Sequence, residues 1–239
     1  MKRIDFLRQL GLGVVSSAVL AACKTDEVTT DTTTTTGSTN GSSSADCAIT
    51  NSETAGPFPI KDPTKVILTN IKGDRAGVAM TMKVIIKNKN GSCAALQGVL
   101  VDLWHCDAAG NYSQYGGTNM QSTNYTSVNW LRGRQTTDAN GLVTFGSIFP
   151  GWYGGRAPHV HAHIYTAAGK SLLVTQIAFP KAVCDTVYTT ASDYKSKGTQ
   201  DTTNERDNVF SDGFTNELGT LEGSIAAGYT LTHTIVVSA

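Results

Sequence analysis

A succession of short stretches in which apolar and polar residues alternate, each ended by a Gly-, Asn- or Asp-rich turn, restricts this chain to β architecture. In residues 78–87 the side chains of Val78, Met80, Met82, Val84 and Ile86 fall on one face of an extended chain. In residues 98–105, Val99, Val101 and Leu103 share a face, and Asp102 and Trp104 take the other. Turn chemistry follows at 88–91 and at Thr137-Asp-Ala-Asn-Gly141, ahead of a short strand over 142–145. Residues 159–166 and 171–179 read as a hairpin across Ala167-Ala-Gly-Lys170, and the alternation over 230–237 closes the pattern. Only residues 215–227 suggest a helix. Many short strands and little helix predict an all-β sandwich with long loops.

The 239 residues suffice for one sizeable core. The N-terminus reads as a targeting segment. Lys2, Arg3 and Arg8 precede an apolar, small-residue run over 10–22, too short to span a bilayer. That run ends Leu20-Ala-Ala-Cys23, which resembles a bacterial lipobox and implies cleavage before Cys23 and lipidation of that cysteine. Residues 1–22 are therefore expected to be a lipoprotein signal. Residues 23–46 are expected to be a Thr/Ser-rich disordered tether, because 27–46 cannot bury apolar surface. The folded domain is expected over 47–239, on a bacterial protein exported and held to its membrane only by lipid. Without residues 1–22 the balance of charged groups goes from 19 basic and 19 acidic to 16 and 18. No basic patch points to nucleic acid. Beyond Cys23 the cysteines are Cys47, Cys93, Cys106 and Cys184, an even number that suggests two disulfides in an exported protein. Of the three connectivities, Cys93–Cys106 with Cys47–Cys184 is the expected one. A cysteine metal site is the weaker alternative, since no Cys-x-x-Cys occurs.

The chemistry concentrates in residues 150–161, Pro-Gly-Trp-Tyr-Gly-Gly-Arg-Ala-Pro-His-Val-His. His159 and His161 are two apart on a strand, so both imidazoles face the same way with backbones about 7 Å apart. Tyr153 and Arg156 lie just upstream. No Asp or Glu occurs between residues 139 and 184, so the local oxygen donors are phenols. His163 shares the face of the pair but lies about 13 Å from His159, too far to join one ion; it is expected beside the site or along its approach. Tyr115, Tyr125, Trp130 and Trp152 are candidates for lining a pocket.

Taken in order, these segments resemble the intradiol ring-cleavage dioxygenases, the catechol and protocatechuate dioxygenase family. The resemblance rests on Val101-Asp-Leu-Trp-His-Cys-Asp-Ala-Ala-Gly-Asn-Tyr112-Ser113 and on Leu131-Arg-Gly-Arg-Gln-Thr-Thr-Asp138-Ala-Asn-Gly141-Leu-Val-Thr-Phe145. Ile148-Phe-Pro-Gly-Trp-Tyr153-Gly-Gly-Arg156-Ala-Pro-His159-Val-His161 resembles the family's metal signature. Thr54-Ala-Gly56-Pro57-Phe58 and Thr175-Gln176 fit flanking segments. The resemblance implies a transthyretin-like β-sandwich and an Fe(III) ion held by Tyr112, Tyr153, His159 and His161. Phenolate is a hard anionic donor; a free tyrosine ionises near pH 10, and a trivalent cation favours its anion.

By the same resemblance the substrates are a small aromatic diol and O2, and the product is a muconate-type diacid. Tyr153 would leave the metal and take a substrate proton, Arg156 would stabilise developing negative charge, and Gln176 would orient the ring, with Trp152 beside it. His105 and Trp104 are expected to pack or orient. Two rival readings exist. A cupin-type metal enzyme also uses His-x-His but wants a glutamate where Tyr165 and Thr166 stand. A cell-surface module that binds metal or aromatics without turnover would share the sandwich, since fold does not settle function. Oligomeric state is not legible.

Overall fold

The computed structural model describes residues 47–239. The expected signal over 1–22, the lipidation at Cys23 and the tether over 23–46 lie outside the described residues.

The alternating stretches form two sheets. One contains β1 (Ala79–Asn88), β2 (Ala94–Ala95), β5 (Leu142–Ile148), β8 (Thr220–Ser224) and β9 (Gly228–Val237). In it β1 is central, parallel to β9 and antiparallel to β5 and β2, and β8 flanks β9. The other runs β4 (Arg132–Thr136), β3 (Leu100–Trp104), β6 (His159–Tyr165), β7 (Ser171–Ala178), every pair antiparallel. Met82, Val84 and Ile86 of β1 and Leu231 and Ile235 of β9 are fully buried, and so are Val101, Leu103, Val160, Ala162, Ile164 and Ile177 of the second sheet. They form one core between the layers. The all-β sandwich is as expected.

The second sheet has a further property. Residues 159–162 of β6 are all buried, so loops cover its outer face as well. Across β3, β6 and β7 the register aligns Trp104, His161 and Gln176 on that outer face. Leu103, Ala162 and Thr175 align on the inner one. Loops over 105–130 and 149–158 and the leading segment 51–60 roof this row.

Two expectations need correction. The helix is α1 (Lys181–Thr190), not 215–227. It places Cys184, Val187 and Tyr188 inward at helical spacing, whereas Gly219 and Gly223 break the other stretch and β8 pairs with β9. The polar run of β4 is a strand that the alternation does not announce. The cysteine pairing also differs: Cys47 bonds Cys93, with Cα atoms 5.8 Å apart, and Cys106 and Cys184 are free and buried. The turn over Lys89–Gly91 leaves Ser92 and Cys93 in left-handed conformations (φ 53° and 59°), folding Cys93 back onto Asn88. Lys89 donates to the Cys47 carbonyl at that same corner. Cys106 instead follows the end of β3 in the other sheet, and Cys184 faces the core from α1, so neither expected pair, Cys93–Cys106 or Cys47–Cys184, forms.

Candidate metal centre

The rings of Tyr112, Tyr153, His159 and His161 converge on the roofed face of the second sheet. Ring centroids lie 5.7 Å apart for Tyr112–Tyr153, 5.7 Å for Tyr153–His159, 6.2 Å for Tyr112–His161 and 4.6 Å for the two histidines. Tyr112, His159 and His161 are each at most 3 % exposed. The four residues predicted as metal ligands from the sequence are brought together.

Each ring is held by a different partner. His159 Nδ1 donates to the Ala157 carbonyl (2.6 Å), which leaves Nε2 as a lone-pair donor turned toward His161 Nε2, 3.1 Å away. Trp104 stacks on His161, 4.8 Å between centroids and 3° between planes. Gly56 approaches the other side of His161; a Cβ there would sit 2.9 Å from His161 Cε1. Phe58 stacks on Tyr112 at 4.8 Å. The Tyr112 backbone is clamped by Gln121, whose Oε1 accepts from Tyr112 N (2.6 Å) while Nε2 donates to Tyr112 O (2.8 Å).

Arg156 connects the ring cluster to the sheet. Its Nη1 donates to Tyr153 Oη (3.3 Å), its Nη2 to Gln176 Oε1 (2.6 Å) and its Nε to both oxygens of Asp207 (2.9 Å each). Gln176 Nε2 in turn donates to the Thr54 carbonyl (2.8 Å). Both ends of the Gln176 amide are thus engaged, and its visible task is to hold Arg156. Asp207 also accepts from Ala157 N (2.8 Å), the same residue whose carbonyl orients His159. A second arginine, Arg132, is fully buried and pairs with no carboxylate among the described residues. It donates to Ser113 O and Oγ and to Phe58 O, with its guanidinium carbon 5.8 Å from the Tyr112 ring centre.

The electrostatics of the protein alone keep all four rings neutral. Burial, with Tyr153 beside it, pushes the Tyr112 phenol well above 10, and burial raises Tyr153 as well, opposed by Arg156. Burial and then the Arg156 charge pull His159 down to about 3; His161 is driven well below its ordinary value by burial and by His159. Two neutral imidazoles therefore offer lone pairs, and of the two phenols Tyr153 has Arg156 against its hydroxyl while Tyr112 does not. Tyr112 Oη has no hydrogen-bond partner among the described residues. An orphaned buried hydroxyl costs free energy, and a cation that takes up the phenolate would remove that cost. A donor set of two phenol oxygens and two imidazole nitrogens, with no thiolate, fits a hard, highly charged iron ion.

Other sequence candidates fall elsewhere. His163 accepts from Tyr165 Oη at Nδ1 (2.7 Å), meets Ser171 at Nε2 (2.8 Å) and stacks on Tyr165, away from the ring cluster. Trp152 donates to Gly198 O (2.9 Å) under the Lys197 ammonium and does not join the rings. Tyr115 packs against Phe58 at the cluster's rim, while Tyr125 and Trp130 form a separate pair. His105 bridges the Cys106 carbonyl and Ser147 and is structural. Gln121, Arg132 and Asp207 were not legible as site residues, because each reaches it from a loop or a polar strand without a spacing signature.

A family model described as "Dioxygenase" matches residues 58–208. This chain belongs to the intradiol ring-cleavage dioxygenases. It is similar to the solved intradiol ring-cleavage dioxygenase of Tetranychus urticae, at 26% identity over 80% of this chain and 95% of that one, with a TM-score of 0.72. The fold is shared with a dioxygenase domain from Streptomyces sp. SirexAA-E (23% identity, 80% and 99% covered, TM-score 0.57). It is also shared with 3-chlorocatechol 1,2-dioxygenase from Rhodococcus opacus 1CP (23% identity, 79% and 72% covered, TM-score 0.53). No curated protein matches the sequence. The family expected from the five sequence segments is the one the comparisons show.

Proposed function

We propose that this protein is an exported, lipid-anchored Fe(III) intradiol dioxygenase that opens a catechol-type ring with O2 to a muconate-type diacid. The observation that carries the reading is the convergence of Tyr112, Tyr153, His159 and His161, with Arg156 on the Tyr153 hydroxyl. These four residues would hold the ferric ion, which when bound supplies Lewis acidity that draws electron density from a bound catecholate and makes the ring carbon reactive toward O2.

The protein's own groups divide the remaining work. Tyr153 Oη, in reach of Arg156, is the site's proton acceptor once ionised, because the guanidinium stabilises the phenolate before transfer. Arg156 is pinned by Asp207 and Gln176, so its free edge is preorganised toward negative charge that develops on the substrate. Phe58, Trp104 and Gly56 exclude water and fix ring planes. The stoichiometry closes without a reductant: one diol and one O2 give one diacid. The Leu20-Ala-Ala-Cys23 run supports the lipid anchor, and an exported position favours diols met outside the cell.

The test is direct. The full chain loaded with ferric iron should be reddish, its visible band should shift on adding catechol, and oxygen should be consumed in a one-to-one ratio with diol. Y112F and Y153F should lose the band in part and the uptake wholly. Colour without uptake would replace the enzyme by a binding module, and no colour with iron present would reject the ligand set.

A further inference from the structure

On the sheet edge beyond Gln176, the leading segment crosses the loop that precedes β8. Asn51 Nδ2 donates to Gly213 O (2.7 Å), Asn216 Nδ2 to Ile49 O and Asn51 Oδ1 (2.9 Å each), and Glu53 N to Val174 O (2.8 Å). This crossing gathers three carboxylates, Glu53, Asp212 and Glu217, one oxygen of each within 4.8 Å of the others. Acidic groups cluster on many surfaces without consequence, but Glu217 is not on the surface. It is fully buried. Its Oε1 accepts from Thr175 Oγ1 (3.0 Å), while its Oε2 has no partner among the described residues, and neither has Glu53 Oε1. A buried carboxylate oxygen left unpaired beside two further carboxylates is a costly arrangement for a protein to keep unless something cationic meets it.

The charges facing the cluster do not supply that cation. Arg156 is the positive group that acts on Glu53, and it is bound through Nε by Asp207, so one guanidinium stands against four carboxylates. Burial and the neighbouring acids push Glu53 up to about 7 and Glu217 up to about 8.

We propose that Glu53, Asp212 and Glu217 form a second metal site, for a hard divalent cation of the calcium type, separate from the two-tyrosine, two-histidine centre. All three donors are oxygens, with no nitrogen or sulfur to favour zinc. Calcium takes 6–8 oxygens at about 2.4 Å, so its ligands stand no more than about 4.8 Å apart, a limit that one oxygen from each of these carboxylates already meets. Asp212 is exposed, which gives an entry path and room for the waters that complete the shell. The ion would join the leading segment to β7 and to the loop before β8. It would do so next to Thr54, whose carbonyl holds the Gln176 amide. Its consequence is therefore rigidity of the roof over the aromatic site.

The experiment uses the full chain passed over chelating resin and titrated with calcium chloride at pH 7.5, followed by calorimetry and by thermal unfolding. One calcium per chain should bind, and at about a hundredfold excess over Kd the unfolding midpoint should rise by about 5 °C. D212N, which changes an exposed side chain, should fold normally and bind calcium at least about tenfold more weakly. E217Q should abolish both binding and the calcium-dependent rise. Absence of a saturable heat and of any midpoint shift in the wild type would overturn the proposal, and so would wild-type calcium binding by D212N. The inference does not rest on the ferric reading; neither readout uses colour or oxygen, so the two fail separately.

Discussion

Asp207 is the group whose removal should cost this protein most for a single short side chain. Its carboxylate is fully buried and accepts from three N–H groups: Arg156 Nε, whose one hydrogen is shared between both oxygens, Ala157 N and Val209 N. D207A leaves a guanidinium that is only 13 % exposed without its counter-charge. Stranding one member of a buried pair costs about 3 kcal/mol at the low end, and the orphaned Ala157 amide adds about 1 kcal/mol. A loss of about 4 kcal/mol falls within the usual total of about 5–15 kcal/mol, so the variant should fold in the cold and melt about 8–16 °C lower. Urea denaturation checks the free energy. A double variant, D207A with R156A, should be more stable than D207A alone, because the stranded charge goes with it. The site should register the same change, since Ala157 offers its N–H to Asp207 and its carbonyl to His159. The visible tyrosinate band of iron-loaded D207A should weaken and oxygen uptake should fall at least about tenfold. A destabilisation under about 1 kcal/mol with an unchanged spectrum would refute the view that Asp207 carries both Arg156 and His159.

Other substitutions and conditions test separate parts. G56A places a Cβ against His161 at a left-handed position (φ 67°), and should cost about 2 kcal/mol and loosen iron retention, measured by denaturation and by metal analysis after dialysis. C93S opens a 46-residue separation and should lower stability by about 2–4 kcal/mol while leaving the visible spectrum of the iron-loaded protein unchanged; a changed spectrum would argue that this corner communicates with the site. Buried His105 and His233, pulled down to about 4 mainly by desolvation, bind a proton in the unfolded chain at about pH 6.5 but resist it when folded. Their contribution is therefore present above pH 6.5 and lost as pH falls toward 4, at up to about 3 kcal/mol per pH unit. Glu53 and Glu217, pushed up to about 7 and about 8, act in the opposite sense over this range, so the check is by difference: an H233Q variant whose stability falls between pH 6.5 and pH 4.5 as steeply as that of the wild type would contradict this.

Where a residue's role depends on its neighbours along the chain, the sequence disclosed it. Where the role depends on what lies across space, it did not. The i, i+2 spacing of His159 and His161 puts both rings on one face by strand geometry alone, and the alternation in β1, β3 and β9 places Met82, Val101 and Leu231 inward. Arg132 shows the opposite case. It lies in a polar run that carries no apolar alternation, yet it is fully buried because carbonyls of Ser113 and Phe58 come to meet it. Asp207 meets Arg156 from 51 residues away, between two single-turn 3-10 helices that no periodicity announces. The helix α1 shows apolar positions at 183, 184, 187 and 188, but its threonines and β-branched valines lower its intrinsic preference. The disulfide could not be read from an even cysteine count, since the pairing depends on the leading segment returning to the turn between β1 and β2.

The register of the second sheet joins fold and chemistry in one constraint. Trp104, His161 and Gln176 stand side by side on β3, β6 and β7, so the ring that supports a candidate ligand, the ligand itself and the amide that holds Arg156 form one row. A slip of one residue in either pairing would send that row to the opposite face. It would also bring Val101, Leu103, Val160, Ala162 and Ile164 out of the core, at roughly 1–3 kcal/mol for each large apolar side chain. The apolar residues of the inner face thereby fix the positions of polar residues they never touch. Precision of the aromatic site then needs no rigid loop of its own: the loops supply Tyr112, Tyr153 and Arg156, and the sheet supplies the fixed row against which Gln176, Trp104 and the two histidines hold them.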